Sequence, residues 1–239
     1  MTYKLPDSAR EYVLYQRTEL LPKWNAGWLK IKLLRLGFMK DNYRDFVRSV
    51  AEQDGHNIDE QYFSIMKNKA DSIVEFIPNS VSSVLDIGCG IAALDLFLFE
   101  RLNIRDIFLL DKTDMESQIW YMFEQKGAFY NSLDLAKETL TINGVDPSIV
   151  KLIEAPSNGE IPLEEKSIDL VLSTISWGFH YPVSTYIDSV AKILSDDGVL
   201  IIDVRKGTDG VAELQNHFKV SVIEEIGKIQ TVKCTKEIA

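Results

Sequence analysis

Residues 84–98 read Val-Leu-Asp-Ile-Gly-Cys-Gly-Ile-Ala-Ala-Leu-Asp-Leu-Phe-Leu. Val84 to Ile87 has the pattern of a short buried strand, Gly88-Cys89-Gly90 that of a tight turn, and Ala92 to Leu102 that of a helix. A strand that passes through two glycines straight into a helix presents backbone N–H groups and lets a ligand approach without a Cβ in the way. A nucleotide or an amino-acid moiety suits such a turn. A glycine pair by itself is weak evidence, so a plain strand-to-helix connection stands as the other reading.

Working outward, short apolar runs alternate with amphipathic helices from Ser80 onward, which predicts βαβ units and a parallel sheet. The expected strands are Val84 to Ile87, Ile107 to Leu110, Val150 to Glu154, Ile168 to Ser173 and Val199 to Val204. Several are apolar throughout, as strands covered by helices on both faces are. Helices are expected at Ala92 to Leu102, Leu133 to Asn143 and Thr185 to Leu194, with Gly144 and Gly198 as C-terminal caps. Val220 to Glu225 and Ile229 to Cys234 flank Gly227 and read as an antiparallel hairpin at the sheet edge. Before Ser80 the pattern is helical: Ile58, Tyr62, Ile65, Met66, Ala70, Ile73, Val74 and Ile77 recur at three- and four-residue steps and stop at Pro78. Tyr43 to Val50 makes a shorter amphipathic piece, and Trp24 and Trp28 add apolar surface that needs a partner. The organisation expected is a helical extension over residues 1–80 and a cofactor-binding sheet domain over 81–239.

Asp111 ends the second strand 111 − 90 = 21 residues past the last glycine, where a carboxylate can accept both ribose hydroxyls of an adenosine. A dinucleotide fingerprint would carry a third glycine three residues past Gly90, but Ala93 stands there. Asp86, two residues before Gly88, would repel a pyrophosphate and attract a cation. S-adenosylmethionine carries an ammonium and a sulfonium, so charge favours it over NAD.

Four ordered blocks, DIGCG, Asp111 after IFLL, IPLEEKSIDLVLS and ILSDDGVLIID, resemble the class I S-adenosylmethionine-dependent methyltransferases. The resemblance implies an α/β, Rossmann-like, mostly parallel seven-stranded sheet with an antiparallel last strand. It also implies that the loop from Asp86 through Gly88, Cys89 and Gly90 holds the methionine part, that Asp111 holds the ribose and that Lys112 packs on adenine. Ser173, at the end of the fourth strand, joins this cofactor-binding set. Two departures matter. Ala92 replaces the family's third glycine, which is tolerable if the backbone there stays helical. The acidic adenine contact after the third strand is not evident in EAPSNGEIP, where Glu154, Ser157 and Asn158 compete; Asn158 is favoured because its amide both donates and accepts.

Open parallel sheets bind ligands beyond the carboxyl ends of their strands. The loop after the fourth strand, Ser173 to Pro182, offers Trp177, His180 and Tyr181. His180 is the candidate general base for an attacking hydroxyl, and Trp177 and Tyr181 suit stacking on a sugar ring. The alternative is that His180 and Trp177 only pack the loop. SWGFHYPVSTY together with DVRKG resembles a subset of bacterial methyltransferases often described as acting on sugar hydroxyls, with Arg205 available to an anionic group on the acceptor. Between Asp111 and Leu133 lies an insertion with Trp120, Tyr121, Phe123, Phe129, Tyr130 and Asn131. It reads either as a lid, with Tyr130 and Asn131 on the substrate, or as a helical turn packed on the N-terminal segment.

Among the 239 residues, 26 Lys and Arg against 36 Asp and Glu leave a net charge of −10. That weighs against nucleic-acid and anionic-membrane partners, since both call for clustered cations. Lys30 to Arg35 is the local exception and reads as a solvated helix face or a basic patch. Two separated cysteines, Cys89 and Cys234, and three histidines make neither a disulfide framework nor a zinc site, so no metal is expected. No signal-peptide h-region or membrane span is legible, which predicts a cytoplasmic protein. The expected activity is methyl transfer to a small-molecule acceptor, most simply a hydroxyl. A non-catalytic scaffold that keeps the fold and an NAD-dependent oxidoreductase are the alternatives. Oligomeric state stays open, a homodimer included.

Overall fold

A computed structural model describes residues 2–22, 43–115 and 130–236 of the chain. Trp24, Trp28, Lys30 to Arg35, Trp120, Tyr121, Phe123 and Phe129 lie outside the described residues, as does the side chain of Tyr130.

The strands are β1 (Ser83–Ile87), β2 (Asp106–Asp111), β3 (Asp114–Met115), β4 (Tyr130–Asn131), β5 (Val150–Glu154), β6 (Ile168–Ser173), β7 (Ser176–Tyr181), β8 (Leu194–Arg205), β9 (Lys219–Ile226) and β10 (Ile229–Thr235). Seven of them form one sheet in the order β5-β2-β1-β6-β8-β10-β9, and β3 pairs with β4 in a separate ribbon. The first five run parallel, and β10 runs antiparallel to both β8 and β9. The expected seven-stranded sheet with its last strand reversed is therefore present. β1 is central and buried along its whole length, as its unbroken apolar reading requires.

The helices are α1 (Ala9–Gln16), α2 (Tyr43–Gln53), α3 (Gly55–Ile73), α4 (Ala93–Phe99), α5 (Leu133–Ile142), α6 (Ile187–Ile193) and α7 (Gly210–Gln215). Helix α3 buries Ile58, Tyr62, Phe63, Met66, Ala70 and Ile73 along one stripe. It then tightens into a 3-10 turn, and Ile77 is extended because Pro78 bars the helical region to the residue before it. At α5 the Ser132 hydroxyl caps the N-terminus by accepting from the Leu135 N–H, and Gly144, at φ 100°, closes the C-terminus.

Gly198 does not cap a helix. Helix α6 ends at Ile193 and runs directly into β8, whose Leu194 pairs with Ile168 and whose Val199 pairs with Leu170. β8 thus uses five residues where β6 uses two, and Gly198 sits buried in that detour without a left-handed backbone. The loop expected after the fourth strand is also different. Residues 176–181 are strand β7, and at Gly178 a Cβ would meet the Asp203 carbonyl oxygen at 3.0 Å.

The sheet separates two cores. On one face Val84, Ile107, Leu109, Leu170, Leu172, Val199 and Ile201 pack with α1, α3, α4 and α5. On the other, Leu85, Ile87, Leu110, Val171, Leu200, Ile202 and Val204 pack with Trp177, Val190 and Leu214. Strand alternation then puts Asp86, Asp111 and Asp203 on the first face, beneath the N-terminal helices. Asp203, buried there, accepts from Lys69 of α3 at 3.1 Å and from Thr231 at 2.5 Å.

The N-terminal segment is tied down along its length. Tyr3 donates to Glu100, Lys4 and Asn143 exchange backbone and amide hydrogen bonds, and Arg10 meets the buried Asp59 with two nitrogens at 2.8 and 2.9 Å. A bidentate pair of that kind fixes orientation as well as distance. It holds α1 on α3 and carries Gln16 to the carboxyl end of the sheet.

Candidate functional site

The turn after β1 has Gly88 at φ 79° and Gly90 at φ 56°, so both glycines occupy the left-handed region that side chains avoid. The room left by their missing Cβ atoms is filled by the protein itself. A Cβ at Gly88 would stand 1.9 Å from the Ser176 hydroxyl oxygen, and one at Gly90 would stand 2.9 Å from the Gln16 side-chain oxygen. Ala92 follows at φ 57° and ψ 22°, so the backbone at the replaced glycine is left-handed and not helical. An L-residue there costs about 1–2 kcal/mol.

The N–H groups of the turn point the other way from the expectation. Gly88 and Cys89 donate to the Leu110 carbonyl at 2.7 and 3.4 Å, and Gly90 donates to the Asp111 carboxylate at 3.0 Å. Residues 88–90 therefore offer no cradle to an anion. They lock β1 to β2 and hold Asp111 in place, with the Lys112 N–H donating to its other oxygen at 2.7 Å.

Asp86 lies beneath the turn with 2% of its surface exposed, and Asp95, in the first turn of α4, with 1%. One oxygen of Asp86 and both of Asp95 have no hydrogen-bond partner apart from each other's carboxyl group. Burial and the charge of Asp95 push Asp86 well above the usual carboxylate range, and burial pushes Asp95 up to about 7. Two carboxyls in contact in a low-dielectric site cannot both ionise readily, so they share a proton. Asp111 is raised to about 6, chiefly by burial, with the Gly90 and Lys112 N–H groups acting in the opposite sense. The Cys89 thiol is pushed well up by burial and by the three carboxylates.

Asn131 comes in from the β3–β4 ribbon, in which it pairs with Asp114. It is 4% exposed, and neither polar atom of its amide reaches a partner at hydrogen-bonding distance and geometry. The amide stands beside Asp111 and Cys89, where it favours the ionised form of each.

The structure thus brings together Asp86, Gly88, Cys89, Gly90, Asp111 and Asn131. Asp95, Gln16 and Ser176 share this neighbourhood, and Tyr186 feels the charge of Asp111; the sequence reading had none of these four. Asp95 was visible within the quoted stretch as a carboxylate on the apolar face of a helix. Gln16 and Ser176 carry no local signal, because only the packing delivers them.

The remaining site candidates stand elsewhere. Trp177 is fully buried and donates to the Val183 carbonyl at 2.9 Å, so its surface is not open to a sugar. Ser173 is buried too, and its hydroxyl joins the carbonyls of Ile87 and Trp177. Asn158 turns its amide to Glu160 in a local turn. Lys112 is exposed. Arg205 stacks 4.4 Å over Phe179 and donates to its carbonyl, with the exposed His180 beside the same ring and Tyr181 partly exposed next to it.

No protein-family model and no curated protein matches the sequence. Solved structures do match. A protein of Methanococcus maripaludis, provisionally assigned as an S-adenosyl-L-methionine-dependent methyltransferase, superposes with a TM-score of 0.52 at 17% identity, over 77% of this chain and 90% of its own. The chain has the class I methyltransferase fold. A precorrin-6y C5,15-methyltransferase from Geobacter metallireducens aligns at 17% identity over 74% of this chain and 88% of its own, with a TM-score of 0.48. A provisionally assigned O-methyltransferase from Nostoc punctiforme aligns at 18% over 72% and 56%, with a TM-score of 0.49. At these identities the likeness speaks to the fold.

The residues at the turn fit the donor that this fold binds elsewhere. S-adenosylmethionine carries an ammonium, a sulfonium and a ribose diol; the site supplies carboxylates, an orphaned amide and no unengaged N–H at residues 88–90. A pyrophosphate would meet carboxylates of its own sign of charge.

Proposed function

We propose that this protein is an S-adenosylmethionine-dependent methyltransferase acting on a hydroxyl group of a small, sugar-like acceptor. The observation that carries the reading is the polarity of the glycine turn, with Asp86, Asp95 and Asp111 gathered at a turn whose own N–H groups are engaged. When bound, the cofactor supplies an electrophilic methyl group on a positively charged sulfur. Asp111 binds the ribose, and Asp86 attracts the cationic amino-acid end through the single negative charge that it and Asp95 keep when they share a proton. Cys89 and the two glycines shape the floor. Residues 81–239 serve as the donor-binding unit and residues 1–80 as its cap, a division supported by the placement of Gln16 across Gly90.

On the acceptor side, proximity and alignment do most of the catalytic work. His180 takes the proton from the attacking hydroxyl. Partial loss of hydration beside the protein surface and the neighbouring Arg205 charge lower its pKa, which favours the neutral imidazole that can accept a proton. Tyr181, at the end of β7, and Arg205, at the end of β8, face the acceptor.

Calorimetry with S-adenosylhomocysteine tests the cofactor assignment; absence of binding by the wild type, together with nicotinamide cofactor binding, would return the oxidoreductase reading. Methyl transfer from labelled donor into a metabolite extract separates an enzyme from a non-catalytic scaffold. With the acceptor in hand, His180→Ala should lower turnover by about 10²-fold and leave S-adenosylhomocysteine affinity unchanged. Unchanged turnover removes His180 from the mechanism.

A further inference from the structure

Buried polar groups without partners are uncommon in native proteins, because each costs about 1–3 kcal/mol. At Asn131 both ends of one amide are in that condition, in a side chain 4% exposed. The ribbon that holds it makes the placement deliberate. β3 begins three residues after Asp111, pairs Asp114 with Asn131 and Met115 with Tyr130, and the Leu133 N–H then closes on the Thr113 hydroxyl at 3.5 Å. An insertion that leaves the sheet directly after Asp111 therefore returns an amide to that same carboxylate.

The count of lone pairs at Asp111 shows what is missing. A carboxylate has about four acceptor sites. The Gly90 and Lys112 N–H groups take one on each oxygen, which leaves one on each. Two hydroxyls on adjacent carbons would fill both. A hydroxyl that donates still has two lone pairs to be met, and the Asn131 amide nitrogen has two N–H groups to meet them.

We propose that Asn131 is a donor-binding residue, one that reads the ribose diol together with Asp111 and so selects a ribonucleoside over a deoxyribonucleoside. The inference rests on the S-adenosylmethionine reading above. It moves Asn131 from the acceptor side, where the insertion alone suggested it, to the donor side. It also gives the β3–β4 ribbon a role in cofactor binding.

The groups that face Asp111 are Gly90 and Lys112 through their N–H groups, Asn131, Asp86 on β1, Glu154 on β5, the Cys89 thiol and Tyr186. Asn131 favours the ionised carboxylate, and Glu154 opposes it. Loss of the amide must therefore move the acid limb of donor binding to higher pH.

The test is calorimetry of the full chain with S-adenosylhomocysteine and with its 2′-deoxy and 3′-deoxy analogues, across pH 5 to 8. The wild type should prefer the ribose form by about tenfold over at least one analogue. Asn131→Ala should bind S-adenosylhomocysteine about tenfold more weakly, lose that preference, and show its acid limb displaced upward in pH. Asn131→Ser, which keeps a smaller polar group, carries the same readouts if the alanine variant does not fold. Wild-type affinity, an intact preference for ribose and an unmoved pH limb in a folded variant would overturn the inference while leaving the cofactor assignment standing. A wild type that binds no S-adenosylhomocysteine overturns both.

Discussion

The carboxyl edge of the sheet has two halves with similar composition and opposite physical states. Over β1 and β2, Asp86, Asp95, Asp111 and Asn131 are buried or partly buried, and three of the four have polar atoms without partners. At the ends of β6 and β7, Ser173 and Trp177 are equally buried, yet each side-chain polar atom is matched to a carbonyl within the fold. Burial alone therefore does not separate a binding residue from a packing residue. What separates them is whether the fold itself completes their hydrogen bonding, since an incomplete set is stable only when something else completes it.

That contrast can be broken at several points. The largest effect is expected at Trp177→Ala, which should cost about 3–5 kcal/mol of unfolding free energy in a denaturant titration. The folded fraction should bind S-adenosylhomocysteine as before; a selective loss of binding without loss of stability would make Trp177 a site residue after all. Gly88→Ala comes next, at about 2–4 kcal/mol, because the new Cβ would overlap both the Cβ and the oxygen of Ser176 at a left-handed backbone position. Adding Ser176→Gly should recover part of that loss, and no recovery would mean that the contact is not what requires the glycine.

The acid pair sets the third prediction. Asp86 and Asp95 hold a proton in the folded state that the unfolded chain releases above about pH 4, so stability falls as pH rises from about 4 to about 7. Asp95→Asn removes one titrating partner and can donate to Asp86. It should gain about 2 kcal/mol over the parent at pH 8 and flatten the profile. A variant less stable than its parent at pH 8 would contradict the shared proton. The smallest effect is expected at Ala92→Gly, where release from the left-handed strain should stabilise by about 1 kcal/mol. A destabilised variant would show that Ala92 contributes more by packing than it loses in strain.

Much of the fold was legible because its signals are local. The strands at 150–154 and 168–173 have the bounds expected from the sequence, and the hairpin turns at Gly227 as its flanking residues require. Gly198 misled because a glycine after a helical pattern usually caps it, while here sheet registry between β6 and β8 took the residue into a strand. The site was half legible. Asp86, Gly88, Gly90 and Asp111 follow from spacing, since one turn and one strand end bring them together. Trp177 and Ser173 were assigned to ligands because a residue at a strand end reads the same whether its polar atoms meet a ligand or a carbonyl.

The sequence by itself determined the βαβ order, the glycine turn and the acidic residue at the end of the second strand, because each depends on periodicity or on a fixed number of residues between two signals. Only the tertiary structure decided that Gln16 and Ser176 fill the space over the two glycines, that Asp95 shares a proton with Asp86, and that Asn131 faces Asp111. Those relations join residues from separate elements. They depend on where helix α1, strand β7 and the β3–β4 ribbon come to rest, and that is set by burial and hydrogen bonding summed over the whole chain.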